Sequence, residues 1–293
     1  AAAEFSTAGL TFEALSETEI QSSYAARNTG IRAATGDFIA FTDADCYPKP
    51  HWLVELIQPF QSAKVGIVAG EIAALPGNTP LERYAQYKGM LSQHHTLGHD
   101  FCPYGQTANL AIRTQAFEQV GLFRPYLTTG GDADICWRIL KEGHAANGPW
   151  EIKYAESATI QHRHRQTIEE LRAQWYRYGK SNRYLHELHG IALAKPLPKK
   201  EERRAVLRWI LRDLPQAVII LVFQGRLAID KLFAPVADLY CARARDQGQR
   251  EAHLPEAARQ KAFYMGNPTG GAPLETDNLT ADNSTENGLT VDR

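Results

Sequence analysis

The chain has 293 residues, 44% hydrophobic and 22% charged, which suits one large domain or a domain with an appendage. Its net charge of −1 gives no cationic surplus and argues against a nucleic-acid partner. Cys46, Cys102, Cys136 and Cys241 are widely spaced with no C-x-x-C, so a disulfide framework and a zinc site are both disfavoured and a reduced, cytoplasmic protein is expected.

In chain order, Ser16 and Glu19 have the form of a capping box and predict a helix running to about Thr35, where Gly36 stops it. Its middle carries Tyr24-Ala25-Ala26-Arg27-Asn28-Thr29-Gly30. The uncharged run Phe38–Phe41 predicts a short strand buried on both faces. That strand ends in Asp43-Ala44-Asp45, where two carboxylates at a strand terminus can share a hard cation. The 13 aspartates would give roughly 0.6 D-x-D pairs by chance, so the motif alone decides little. A helix follows through Trp52, Leu53, Leu56, Ile57 and Phe60, then a strand over Val65–Ile72 and a helix over Leu81–Leu97.

Residues 101–113 mix small polar residues with an apolar strand end and can line a pocket. Asp132 falls at a helix start, where free N–H groups favour a carboxylate, and an N-cap is the plain alternative. A strand over Ile152–Ile160 ends in Gln161-His162-Arg163-His164-Arg165, a run suited to a metal or a diphosphate. The helix from Thr167 to Leu188 carries Gln174, Arg177 and Tyr178. Residues 191–200 read as a linker and 201–250 as an amphipathic helical extension whose arginines can face a membrane surface or a partner. Residues 251–293 read as a disordered tail.

Four segments in order resemble family 2 glycosyltransferases of the GT-A fold: Ala26–Ile31, Gly36–Asp45, Asn109–Arg113 with Gly121-Leu122-Phe123, and Gly131–Arg138. The resemblance spans roughly residues 20–190. It implies an α/β, Rossmann-like domain over 1–190, with a mixed, mostly parallel sheet and flanking helices. Nothing in Ala1–Ser23 matches the strand–helix–strand unit that opens the family, so a domain truncated at its N-terminus is expected.

The resemblance further implies an inverting transfer of sugar from a UDP- or GDP-sugar to a glycan or lipid-linked acceptor hydroxyl. The expected setting is polysaccharide or cell-surface glycan synthesis, peripheral at the inner face of the plasma membrane. It implies a divalent cation, Mg²⁺ or Mn²⁺, held by Asp43 and Asp45, with His162 as a further ligand. Asp132 matches the family's general base, although Gly131 replaces the usual preceding Glu. Arg27, Asn28, Arg138 and Arg177 would contact the donor. Two alternatives stand beside this reading. One is a non-catalytic relative acting through its C-terminal helices. The other is a nucleotidyltransferase, for which the expected Gly-rich phosphate loop is missing near the N-terminus.

Overall fold

A computed structural model describes residues 12–77, 79–196, 198–224 and 232–263. The core is a five-stranded mixed sheet in the order β1-β4-β3-β7-β2. Its strands are β1 (Phe38–Thr42), β2 (Cys46–Pro48), β3 (Val65–Ala74), β4 (Asn109–Arg113) and β7 (Glu151–His162), and a separate ribbon pairs β5 (His144–Ala145) with β6 (Gly148–Pro149). Among the described residues only the β3/β7 pairing is parallel; β1/β4, β3/β4 and β2/β7 are antiparallel. The sheet is thus less parallel than expected, because β4 runs between β1 and β3 in the opposite sense. β1, β3 and β7 still share a direction, so their C-terminal ends gather on one edge.

The reading of β1 as buried on both faces is corrected. Ile39 and Phe41 are buried, while Ala40 and Thr42 are exposed. β1 pairs on one side only among the described residues, and α2 (Trp52–Ile57) covers β3, β4 and β7 rather than β1. Asn109 braces the central strands: its side chain donates to Glu71 O at 2.8 Å and Ala158 O at 2.7 Å and accepts from Trp52 Nε1 at 2.8 Å. Gly70 makes room for it, since a Cβ there would lie 2.4 Å from Asn109 Nδ2.

The first helix also differs. The Ser16–Glu19 box does not form; instead Glu17 accepts from the amides of Glu19 and Ile20 and from Thr29 Oγ1. α1 therefore spans Ser23–Ala33, with Ser22 capping Ala25 N. The expected helix over 81–97 is two, α3 (Pro80–Tyr87) and α4 (Gln93–Leu97), because Gly89 and Leu91 take positive φ of 57° and 73° between them. α5 (Thr114–Val120) and α6 (Gly131–Glu142) pack with α1 on one side of the sheet around Ile67, Leu110, Phe117, Phe123 and Ile135. α2 seals the other side with Leu56, Phe60, Val68 and Ala158.

α7 (Ile168–His189) begins with a complete capping box between Thr167 and Glu170. α10 (Ala234–Glu251) lies against it at a glycine crossing: a Cβ on Gly179 would meet Arg245 O at 2.0 Å, and one on Gly248 would meet Tyr176 O at 2.1 Å. Between them come α8 (Lys199–Arg208), a π turn (Trp209–Asp213) and α9 (Leu214–Gln224). The tail expected from 251 is partly folded. Ala252, Leu254 and Ala258 are buried in the α1/α5/α6 core, and Leu122 N donates to Ala262 O at 2.7 Å. The remainder, 264–293, lies outside the described residues.

Candidate active site

The Asp43–Asp45 turn lies where β1 ends, on the edge shared by the C-termini of β3 and β7. Cys46 N closes it on Asp43 O at 3.0 Å, and β2 then pairs Cys46 with His162. The two carboxylates diverge. Asp43 Oδ1 accepts from Arg27 at 2.9 Å, whereas Asp45 Oδ2 lies 3.3 Å from His162 Nε2. Strand alternation explains this: residues two apart share a face only in extended backbone, and this pair sits in a turn.

α1 supplies a double anchor. Arg27 reaches Asp43, and Tyr24, one turn earlier, accepts from Gly131 N at 2.9 Å. The Tyr24 ring stacks on Phe123 at 5.6 Å, with Arg27 Cζ 5.6 Å from the ring centre. A Cβ on Gly131 would fall 2.6 Å from that ring, so glycine is what admits the contact, and a Glu there would displace Tyr24. Gly130, at φ 81°, turns the chain into α6.

Asp132 is therefore not an N-cap. Its Oδ1 accepts from Thr107 Oγ1 at 3.0 Å and its Oδ2 from Thr107 N at 3.2 Å. Burial pushes its pKa up, Arg27 and the two Thr107 bonds oppose this, and Asp43 adds to the rise. Asp132 and the Arg27/Asp43 pair thus belong to one electrostatic group. The residue as a whole is partly buried. Gln93 fixes the Thr107 loop from α4: its Oε1 accepts from Gln106 N at 3.0 Å and its Nε2 donates to Asn109 O at 3.0 Å.

Asp45, Cys46 and His162 each offer a ligand atom within 4.8 Å of one another, the one such cluster among the described residues. His162 is buried and its Nδ1 has no partner among them. Burial raises the Cys46 thiol, with the charges of Asp43 and Asp45 adding to it. An aspartate oxygen with an imidazole nitrogen fits Mn²⁺ better than the all-oxygen shell Mg²⁺ prefers. Asp43, expected as a ligand, is instead engaged by Arg27. Beside Asp45 opens a hollow of ≈ 190 Å³ lined by Arg163, His164, Arg165 and Glu170. His164 is held neutral, its pKa lowered to about 4 by burial and by His162. A larger hollow of ≈ 470 Å³, between Pro196, Glu201, Arg245 and Gln249, is lined by none of these residues.

Three expected donor contacts are corrected or left apart. Asn28 is buried and spends its amide on Phe123, accepting from N at 3.0 Å and donating to O at 2.9 Å. Arg138 is buried and satisfied internally: it pairs with Asp134 at 3.0 Å and donates to Val120 O at 2.6 Å and Leu122 O at 2.7 Å. Neither can meet a ligand. Arg177 is exposed on α7 and is not drawn into the strand-end cluster, while its neighbour Gln174 donates to Tyr178 Oη at 2.9 Å. Asp134 closes a buried group with Arg124, Arg138 and His189, the last at 2.9 Å. Burial alone would raise its carboxyl, but His189, Arg138 and Arg124 together hold it well below the usual range. Sequence reasoning missed Thr107 and Tyr24. Tyr24 carried a signal, its i, i+3 spacing from Arg27; Thr107 carried only its place in the 101–113 stretch read as pocket-lining.

Residues 15–121 match glycosyl transferase family 2. A pre-mycofactocin glycosyltransferase of Mycobacterium tuberculosis is 31% identical over 213 residues, covering 69% of this chain and 43% of that protein. Glycosyltransferase AglE of Haloferax volcanii is 36% identical over 146 residues, covering 49% of this chain and 47% of AglE. The chain thus spans less than half the length of these relatives. Among solved structures, the mannosyltransferase PcManGT of Pyrobaculum calidifontis in complex with GDP-Man and Mn²⁺ is similar at 18% identity and a TM-score of 0.40, covering 80% of this chain and 65% of that one. So distant a likeness assigns no residues. The family match includes Arg27, Asp43 and Asp45 and ends before Asp132 and His162. On these matches, the chain carries a glycosyltransferase family 2 domain.

Proposed function

We propose that this domain is an inverting glycosyltransferase that moves a sugar from a UDP- or GDP-sugar to an acceptor hydroxyl of a glycan or lipid-linked saccharide. Asp45 and His162 would hold a divalent cation, preferably Mn²⁺. Such an ion, when bound, neutralises the diphosphate as it leaves. Arg163 and Arg165, beside the same hollow, suit the donor's phosphates. Asp132 takes the proton from the acceptor hydroxyl as it attacks, and its raised pKa makes it a stronger base than an exposed aspartate. Thr107 orients the carboxylate, and Arg27 favours its ionised form while tying Asp43 to the same edge.

The observation that carries this reading is the meeting, on one sheet edge, of Asp132 with the Arg27/Asp43 pair beside the Asp45/His162 cluster. Calorimetric titration with UDP and with GDP tests it. One of the two should bind in the presence of Mn²⁺, and Asp45→Ala or His162→Ala should abolish that metal-dependent binding. Affinity unchanged by either substitution would remove the metal cluster from the reading.

A further inference from the structure

α8, the π turn and α9 run as one helical stretch over 199–224. Pro215 does not break it. Leu214 N bonds back to Trp209 O, a five-residue reach that carries the ladder past the proline, which has no N–H to give. The stretch divides along its axis. Between Lys199 and Arg212 it holds six cationic side chains against two glutamates. From Leu214 to Gln224 it holds no charge at all.

The neutral half is not covered. Val218 is 52% exposed, Val222 70% and Phe223 81%, and Ile219 and Leu221 are exposed beside them. A contiguous apolar face of this kind marks a surface that meets something other than water. In the charged half, Leu207 and Leu211 stand on the exposed side among Arg203, Arg204 and Arg208, and those three arginines form no ion pair among the described residues. Of the two glutamates in its first turn, Glu202 pairs with Arg243 of α10 and Glu201 alone is left beside the arginines.

We propose that this face seats the protein on an anionic lipid bilayer, with α9 entering a single leaflet. The charge pattern selects the partner. Unpaired arginines interleaved with leucines, followed by an uncharged apolar end, match phosphate headgroups lying over acyl chains. The same face is cationic throughout its first half, so a second copy of the chain would meet like charge. Length sets the depth. The neutral half rises about 16 Å at 1.5 Å per residue, roughly half of a ~30 Å hydrocarbon core. Consistently, no helix among the described residues is long and apolar enough to cross a membrane. The proposal rests on none of the catalytic residues and stands or falls apart from them.

Flotation of the full chain with vesicles tests it. Phosphatidylcholine vesicles are compared with vesicles of phosphatidylcholine and phosphatidylglycerol in equal parts, at low and high salt. Binding is expected to the anionic vesicles, weakened by salt. Each of Arg203→Gln, Arg204→Gln and Arg208→Gln should weaken it about fivefold. The double substitution Val222→Asp with Phe223→Asp should abolish it while leaving the melting temperature unchanged, because both side chains are exposed. Absence from both vesicle types, equal binding to neutral ones, or binding indifferent to the double substitution overturns the proposal. So does a lipid-free dimer in sedimentation that the double substitution dissociates, since that face would then belong to a second copy.

Discussion

Thr107 donates twice to Asp132, its hydroxyl to Oδ1 at 3.0 Å and its amide to Oδ2 at 3.2 Å. This clamp fixes the plane of the carboxylate and opposes the rise that burial imposes on its pKa. Thr107→Val keeps the amide bond and the side-chain shape but removes the hydroxyl. The acid limb of the pH–rate profile should then move to higher pH and kcat should fall about tenfold. Thr107→Ser should restore both. A Val variant with an unmoved acid limb would make Thr107 a packing residue only.

Arg27 and Asp43 act on Asp132 with opposite signs. Arg27→Gln removes a positive charge, so the acid limb should rise. Asp43→Asn removes a negative charge and frees Arg27, so it should fall. Opposite displacements in two pH–rate profiles are the signature; shifts in the same direction contradict the electrostatic grouping. The same raised pKa carries a stability sign. The folded state holds the Asp132 proton more tightly than the unfolded chain, so stability declines as pH rises through the folded value, and Asp132→Asn should flatten that decline.

Asp134 has the reverse sign. Its folded pKa lies below the ordinary value, so its contribution is present above the unfolded aspartate pKa and is lost as pH falls toward the folded one. Asp134→Asn leaves Arg138 and Arg124 buried without their counter-charge. It should cost about 3 kcal/mol at neutral pH and weaken the acid dependence of unfolding, both readable from urea titrations across pH.

Gly179 and Gly248 set the distance between α7 and α10. Gly179→Ala would place its Cβ 2.0 Å from Arg245 O, so α10 must shift. A loss of about 2 kcal/mol is expected in chemical denaturation, with nucleotide binding unaltered. An alanine variant of wild-type stability would show that α10 is not docked at this crossing.

Much of the candidate site's location was legible because it rests on local pattern. The apolar run Phe38–Phe41 stopped by Asp43-Ala44-Asp45 announces a strand end, and Asp132 follows the glycines that open α6. What a linear motif does not encode is direction. Arg27 and Asn28 are adjacent, yet one reaches Asp43 and the other turns into the core toward Phe123. Asp132 and Asp134 flank one residue, yet one faces Thr107 and the other is sealed beneath Arg138. Asp43 and Asp45 were read as a joint cation clamp, but the turn between them sends Asp43 to Arg27. The Thr107 and Tyr24 contacts join residues 25 and 107 positions apart, a relation only the folded chain creates. Composition misjudged the C-terminus for a similar reason, since Ala252, Leu254 and Ala258 are apolar enough to join a core already present.

The claim on which the account turns is that Asp132 works as the base at an edge where donor binding is the task of other residues. The direct measurement is nucleoside diphosphate release from UDP- and GDP-sugars by the full chain and by Asp132→Asn, alongside nucleotide affinity in Mn²⁺. Release should fall at least about a hundredfold with affinity held within about twofold. Release at the wild-type rate from Asp132→Asn would contradict it.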